Sequence, residues 1–256
     1  ENALAFMSAV TAFAMLCSAF RPGTWIRRSM CVAMCAVALV VLTLAQSRTS
    51  FIGFLLAIFV YLLFDRRFGL LAGLALAVLI GGFSASLFDV ASQYLLRGQD
   101  AELVTSLSGR TQGWEGSWIA FQEAPFFGHG FAAYARAEIL GVEGHTSLHG
   151  AIFEVMVGTG GVGLLAWAGA IFWTFARLYF IPRYSREWFA IPVNRSIRAE
   201  MIAIALMILV RASTSSGLAE HEDNFMLFLS VLVYVVSLEH ALRSGQIEGR
   251  KNAVTA

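Results

Sequence analysis

Residues 68–88, FGLLAGLALAVLIGGFSASLF, form a run of 21 positions without a charged side chain. An apolar run of this length can cross the hydrocarbon core of a bilayer as one helix. The rest of the chain is similar, because 58% of the 256 residues are hydrophobic, 14% are charged and the mean hydropathy is +0.69. A soluble domain has about a quarter of its residues charged. The sequence therefore predicts an all-α, polytopic membrane protein.

Seven apolar runs predict about seven transmembrane helices. They cover residues 3–20, 30–46, 51–64, 68–88, 150–180, 201–213 and 225–238. The predicted organisation is four spans in residues 1–88, a polar loop with short interfacial helices in 89–148, three spans in 149–242 and a tail in 243–256. The chain starts at Glu1 with neither Met nor a basic leader, so we expect it to be the C-terminal part of a longer polypeptide.

The basic residues sort into two groups when the seven runs alternate across the membrane. Thirteen of the 18 Lys and Arg residues fall in connections on one side, which the positive-inside rule assigns to the cytoplasm. The long loop and the short turn at Arg48 then share the outer side. Since the basic residues are dispersed along the chain, nothing indicates a nucleic-acid partner.

Arg48 lies in the turn Gln46-Ser47-Arg48-Thr49-Ser50, between the second and third apolar runs. One interpretation is a turn arginine whose side chain reaches up to the lipid headgroups. The other is an anion clamp at the outer membrane face, since a guanidinium presents a fixed fork of donors that suits phosphate.

Arg110 precedes a segment with an aromatic face. Trp114, Trp118 and Phe121 recur at helical spacing, and Pro125 follows them, so an amphipathic helix lying in the membrane interface is predicted. Such a helix would hold Arg110 at the depth of lipid-linked phosphates. The simpler alternative is an anchoring helix flanked by an arginine.

His145 and His149 are four residues apart, so on a helix they would share one face. The pair resembles half of a metal site, but the sequence places no third ligand nearby. A histidine at the mouth of an apolar run can act as a base, because its unperturbed pKa lies near neutrality. Hydrogen bonding at the start of the helix is the structural alternative.

Arg211 lies near the outer end of the sixth apolar run, where an ionisable side chain is costly and is a candidate for function. Glu220, Glu222 and Asp223 follow it closely. An ion pair with one of these acids and a contact with substrate are both open interpretations.

Two further patterns receive structural interpretations. Gly158-Thr159-Gly160-Gly161-Val162-Gly163 matches GxGxxG, but it lies inside an apolar run without a preceding strand, so it predicts a kink or a close helix approach, not a nucleotide site. Cys17, Cys31 and Cys35 form neither a CxxC nor a zinc pattern, and they are predicted to be small buried hydrophobes.

Together these segments resemble the O-antigen ligase/polymerase superfamily of bacterial membrane glycosyltransferases. Arg48 with Ile52 is similar to its Arg-x3-Leu element. Ser108-Gly109-Arg110, Trp114, Pro125 and Gly128-His129-Gly130 are similar to its loop signature. His149, followed after ten residues by Gly160 and Gly163, is similar to its third element, although Gly150 stands where the family usually has Asn or Ser.

The resemblance implies transfer of a glycan from a polyprenyl diphosphate carrier to a hydroxyl of a glycan, of lipid A core or of a protein, without metal or cofactor. It implies that Arg48 and Arg110 bind the diphosphate and that His149 is the base. His129, Arg136, His145 and Arg211 are further candidates for substrate binding. It also implies a multi-pass protein of the bacterial inner membrane with a periplasmic active site.

Two other functions remain open at this point. A transporter or flippase of lipid-linked glycans should contain internal repeats and broken helices with polar groups near the midplane. Here the ionisable residues gather at helix ends and in one loop, and residues 158–163 are the candidate for a broken helix. A structural membrane partner would leave the spacing of the three elements as coincidence.

Overall fold

The computed structural model describes residues 2–82, 110–130, 133, 150–183, 186–213 and 223–244. Within these ranges the chain forms helices and turns and no strand, which confirms the all-α class. The helices are α1 (Asn2–Phe20), α2 (Trp25–Leu44), α3 (Arg48–Phe64), α4 (Phe68–Gly82), α5 (Arg110–Glu123), α6 (Ala151–Phe180), α7 (Arg186–Ala190), α8 (Pro192–Ala212) and α9 (Asp223–Arg243). A 3-10 turn, Ile181–Arg183, follows α6.

Within the described part of the chain, four segments are long and apolar enough to cross a membrane: α1, α2, α6 with its 3-10 turn, and α9. Helix α3 is apolar but has only 17 residues. Helix α8 has 21 residues but begins at Pro192, well before the predicted run at 201–213, so its first half is polar. The protein is therefore multi-pass, and the full set of seven spans stays a prediction.

The core is formed mainly by α1, α3 and α8. Phe13 of α1 meets Tyr61 of α3 edge to face, with ring centroids 5.9 Å apart. The Tyr61 hydroxyl is 2.8 Å from the hydroxyl of Ser196 on α8. Gly53 of α3 lies against Val210 of α8, which allows these two helices to approach closely. The three helices therefore form one packed unit on which the others are arranged.

Ion pairs gather at one end of this unit, where α1, α3 and α6 end and α8 begins. The carboxylates involved are buried or nearly so, and each one has an arginine partner that offsets the cost of removing it from water. The pairs are Arg21–Glu200, Asp65–Arg67 (2.6 Å), Asp65–Arg195 (3.4 Å) and Arg177–Glu239 (3.0 Å). The four arginines of these pairs belong to the group that the positive-inside rule assigns to the cytoplasm, and the fold brings them to the same end.

Candidate functional site

The opposite end collects the beginnings of several helices. Gly53, near the start of α3, lies against Val210 in the last turns of α8. Ile152, near the start of α6, lines an apolar cleft of about 500 Å³ together with Leu209 and Ala212 of α8. The end of α8 therefore adjoins the beginnings of both α3 and α6, and this end carries Arg48 and Arg211.

Arg48 is the first residue of α3. Gln46 takes a left-handed conformation, with φ of 48°, and turns the chain sharply between α2 and α3. Ser47, the N-cap, and Ser50 are buried, with their hydroxyl oxygens 3.0 Å apart. Arg48 itself is half-buried beside this pair. The tight turn thus places Arg48 at the helix start, not on a long connector.

A positively charged side chain is normally disfavoured at the first residue of a helix. The exposed N–H groups at a helix start carry a partial positive charge, which favours anions there and disfavours cations by about 0.3–1 kcal/mol. The position of Arg48 is therefore not explained by the stability of its own helix.

Helix α5 lies against the first half of α6. Trp114 stacks on Phe153, with ring centroids 5.0 Å apart and planes 14° from parallel. Farther along both segments, the N–H of Gly161 donates to the carbonyl of Pro125. The contacts advance in the same direction along the two helices, so α5 and α6 begin at the same end.

Gly150 is the buried N-cap of α6 and stands where the resemblance leads one to expect a polar residue. A Cβ at this position would lie 3.1 Å from the Phe153 ring and 3.6 Å from the indole nitrogen of Trp114. The absence of a side chain therefore leaves room for the Trp114–Phe153 stack. The capping contact that a polar side chain would make is replaced here by aromatic packing.

Residues 125–130, which we name the docking segment, form backbone hydrogen bonds with both sides of a break in α6. Helix α6 is interrupted at Gly160, with φ of 65° and ψ of −164°. The N–H groups of His129 and Gly130 donate to the carbonyls of Val157 and Gly158, at 2.9 and 3.0 Å. The N–H groups of Gly161 and Val162 donate to the carbonyls of Pro125 and Phe126, at 2.8 and 3.2 Å. The break predicted at residues 158–163 is confirmed, and its backbone groups are satisfied by the docking segment.

The two backbones approach so closely that only glycine fits. A Cβ at Gly160 would lie 2.5 Å from the carbonyl carbon and oxygen of Phe126. A Cβ at Gly128, where φ is 68°, would lie 2.6 Å from backbone atoms of Val157, Gly158 and Gly160. The Gly-His-Gly and Gly-x-x-Gly elements of the sequence therefore meet each other, and their shared role is structural.

His129 holds the docking segment on α5. Its Nε2 donates to the carbonyl of Ala120, at 2.7 Å, and the ring is half-buried. The described contact is thus with the protein backbone, and a contact between His129 and substrate stays a prediction.

Arg211 is buried at the end of α8, with 7% of its surface exposed. One guanidinium nitrogen donates to the carbonyl of Asn2, at 2.5 Å, and the group lies 4.8 Å from the centre of the Phe6 ring. These contacts join the end of α8 to the start of α1. Of its predicted acidic partners, Glu220 and Glu222 lie outside the described residues, as does the side chain of Asp223.

Glu154, which was not among the predicted site residues, is buried in the first turn of α6 with 2% of its surface exposed. It lies one helical turn after Gly150, and its position at a helix start is favourable for an anion. An ionisable residue inside a predicted span is the signal that would have found it.

Several predicted residues cannot be compared with the structure in this way. His149, Arg136 and His145 lie outside the described residues, as does the side chain of Arg110. Within the described part of the chain, no group of three His, Cys, Asp or Glu side chains could hold a metal ion. Cys17, Cys31 and Cys35 are free and buried, as predicted.

The family model described as O-antigen ligase matches residues 4–168. This range begins in α1 and extends past the break in α6, so it includes Arg48, Arg110, the docking segment and His149. No curated protein matches the sequence.

Proposed function

The chain belongs to the O-antigen ligase family, and on this premise we propose that it transfers an oligo- or polysaccharide from a polyprenyl diphosphate carrier to an acceptor hydroxyl. The acceptor oxygen attacks the anomeric carbon of the donor, and the bond from that carbon to the diphosphate breaks. The diphosphate leaves with the bonding electrons, and the hydroxyl proton passes to a base. The same donor chemistry serves an acceptor on a glycan, on lipid A core or on a protein.

The placement of Arg48 as the first residue of α3, after the buried N-cap Ser47, is the observation that carries this proposal. A bound diphosphate would reverse the unfavourable interaction between this cation and its helix start, because an anion is attracted by both. Arg110, at the start of the described part of α5, would supply a second guanidinium. Two guanidiniums also stabilise the charge that develops on a departing diphosphate. This electrostatic role needs no metal ion.

We assign the base to His149, which directly precedes the N-cap of α6. Trp114 and Phe153 lie near the N-terminal ends of α5 and α6, so their stack brings these two helix ends together. This contact supports a common location for Arg110 and for His149, which is next to the N-cap Gly150 in the chain. An open apolar cleft of about 690 Å³, lined by Trp114, Trp118 and Phe153 among others, lies beside the stack and suits the first isoprene units of the carrier.

A transporter of lipid-linked glycans is the second candidate, and the break in α6 favours it. In transporters, broken helices expose backbone groups to a substrate or ion near the midplane. Here the carbonyls and N–H groups around Gly160 bind those of the docking segment. The break is therefore occupied by the protein's own backbone, which supports the enzyme over the transporter.

We expect the purified protein in lipid nanodiscs to transfer glycan at an unchanged rate after treatment with EDTA. The reason is that arginines, not a metal ion, neutralise the leaving group in the proposed mechanism. The measurement is acceptor glycosylation with and without chelator. Loss of activity in EDTA with recovery on addition of a divalent ion would contradict the metal-free mechanism.

Arg48→Lys is expected to lower the turnover number about tenfold while the protein stays folded. Lysine keeps the charge but loses the fork of donors, and one charge-assisted hydrogen bond contributes about 1.5 kcal/mol. Arg28→Lys, an exposed substitution at the opposite end, is the matched control and should have no effect. Equal rates for both variants would remove Arg48 from the diphosphate site.

A further inference from the structure

A second feature with the properties of a binding site lies at the other end of α6, away from the proposed active site. Trp173, Ala176, Arg177, Phe180 and Arg183 line a groove of about 450 Å³, which we name the basic groove. Trp173 and Phe180 are 37% and 41% exposed, so aromatic surface is open at its edge. Neither the family nor the proposed glycan transfer accounts for this groove.

The basic groove carries a surplus of positive charge. Arg177 and Arg243 both bind the same carboxylate oxygen of Glu239, at 3.0 and 2.5 Å. Arg183 lies over the Phe180 ring, 4.4 Å from its centre. Among the described side chains, these three arginines and the one carboxylate of Glu239 give a surplus of two positive charges. The adjacent Arg186 and Glu187 add one charge of each sign, so the surplus stays the same.

Apolar surface continues from the groove along α6. Phe172 and Leu165 are 75% and 76% exposed, and α6 with its 3-10 turn is long and apolar enough to cross a membrane. The Arg177 guanidinium lies over the Trp173 ring at 5.2 Å, and both Arg177, in the last turn of α6, and Arg183, in the 3-10 turn, are near the end of this apolar surface. A ligand that combines an anionic group at the helix end with apolar chains along the helix fits this arrangement.

We propose that the basic groove binds an anionic glycerophospholipid of the surrounding membrane, with the phosphate of its headgroup between Arg177 and Arg183 and its acyl chains along α6. An apolar face alone would accept any lipid. The two surplus charges select an anionic headgroup, because basic pockets between membrane helices attract such headgroups electrostatically. This proposal does not depend on the enzymatic activity.

Quenching of Trp173 fluorescence by lipids with brominated acyl chains tests the proposal. The full chain is titrated in mixed micelles with brominated phosphatidylglycerol or with brominated phosphatidylcholine. Subtracting the signal of Trp173→Phe isolates Trp173 from the other five tryptophans. We expect half-maximal quenching at a mole fraction of phosphatidylglycerol several-fold lower than that of phosphatidylcholine.

Arg183→Gln should raise the mole fraction of phosphatidylglycerol at half-maximal quenching about fivefold. This is the ratio expected for the loss of one cation near an anionic headgroup. Arg183 is exposed, and its guanidinium lies over the face of the Phe180 ring, so the variant should fold normally. Arg28→Gln removes one exposed charge at the same end but outside the groove, and should leave quenching unchanged. Two results would overturn the proposal. One is equal quenching by the two lipids, and the other is an equal loss of quenching by phosphatidylglycerol in Arg183→Gln and Arg28→Gln.

Discussion

Replacing His149 by alanine is expected to lower the turnover number for glycan transfer by about 10²–10⁴-fold, the usual contribution of a positioned base. The donor should bind with little change, because the diphosphate is held by Arg48 and Arg110 in the proposed mechanism. The measurement is a steady-state assay with a lipid-linked donor, in which kcat falls and KM for the donor is nearly constant.

His240→Ala is the matched control for this experiment. His240 is exposed in the last turn of α9, at the end of the protein opposite the beginnings of α3, α5 and α6. The control should retain the wild-type rate. If His149→Ala also retained it, the base would have to be another group, and the assignment of His149 would be wrong.

Gly160→Ala is expected to destabilise the protein by about 2–6 kcal/mol and to abolish transfer. The backbone conformation at Gly160 is essentially restricted to glycine, which costs an alanine about 1–3 kcal/mol. The new methyl group would also lie 2.5 Å from the Phe126 carbonyl, and such overpacking adds about 1–3 kcal/mol. Thermal unfolding in detergent and the transfer assay would measure the two effects.

Gly169→Ala provides the control within the same helix. No atom lies within 4 Å of the position that a Cβ would occupy at Gly169, so alanine fits there without movement. In a helix interior the substitution should be neutral or should stabilise by about 0.5–1 kcal/mol. If Gly160→Ala were as stable as Gly169→Ala, the docking segment could not be packed against the break as described.

The glycine pattern of α6 predicts the break in the helix but not the segment that pairs with it. The break at residues 158–163 follows from glycines inside an apolar run, since few other reasons place them there. What fills the break is a separate question. Gly128 and Gly160 lie where two backbone segments approach closely, and their neighbours form the hydrogen bonds between the segments. Backbone pairing of this kind leaves no pattern in side-chain type. The structure was needed to join the two elements.

The charged residues illustrate a second limit. From the sequence, Arg211 is predicted to pair with one of the acids that follow it or to contact substrate. Its described contacts are with Asn2 and Phe6, at the start of α1, more than 200 residues away in sequence. Glu154 differs, since it was detectable as an acid within an apolar run. Partners distant in sequence are set by helix packing and could not be predicted.

The stoichiometry of the reaction tests the central claim most directly. Purified protein is supplied with a polyprenyl diphosphate-linked glycan and an acceptor, and both products are quantified by mass spectrometry. We predict that one free polyprenyl diphosphate is released for each glycan that becomes attached to an acceptor hydroxyl. Movement of intact donor across the membrane, with neither product formed, would contradict the account and establish the transporter in its place.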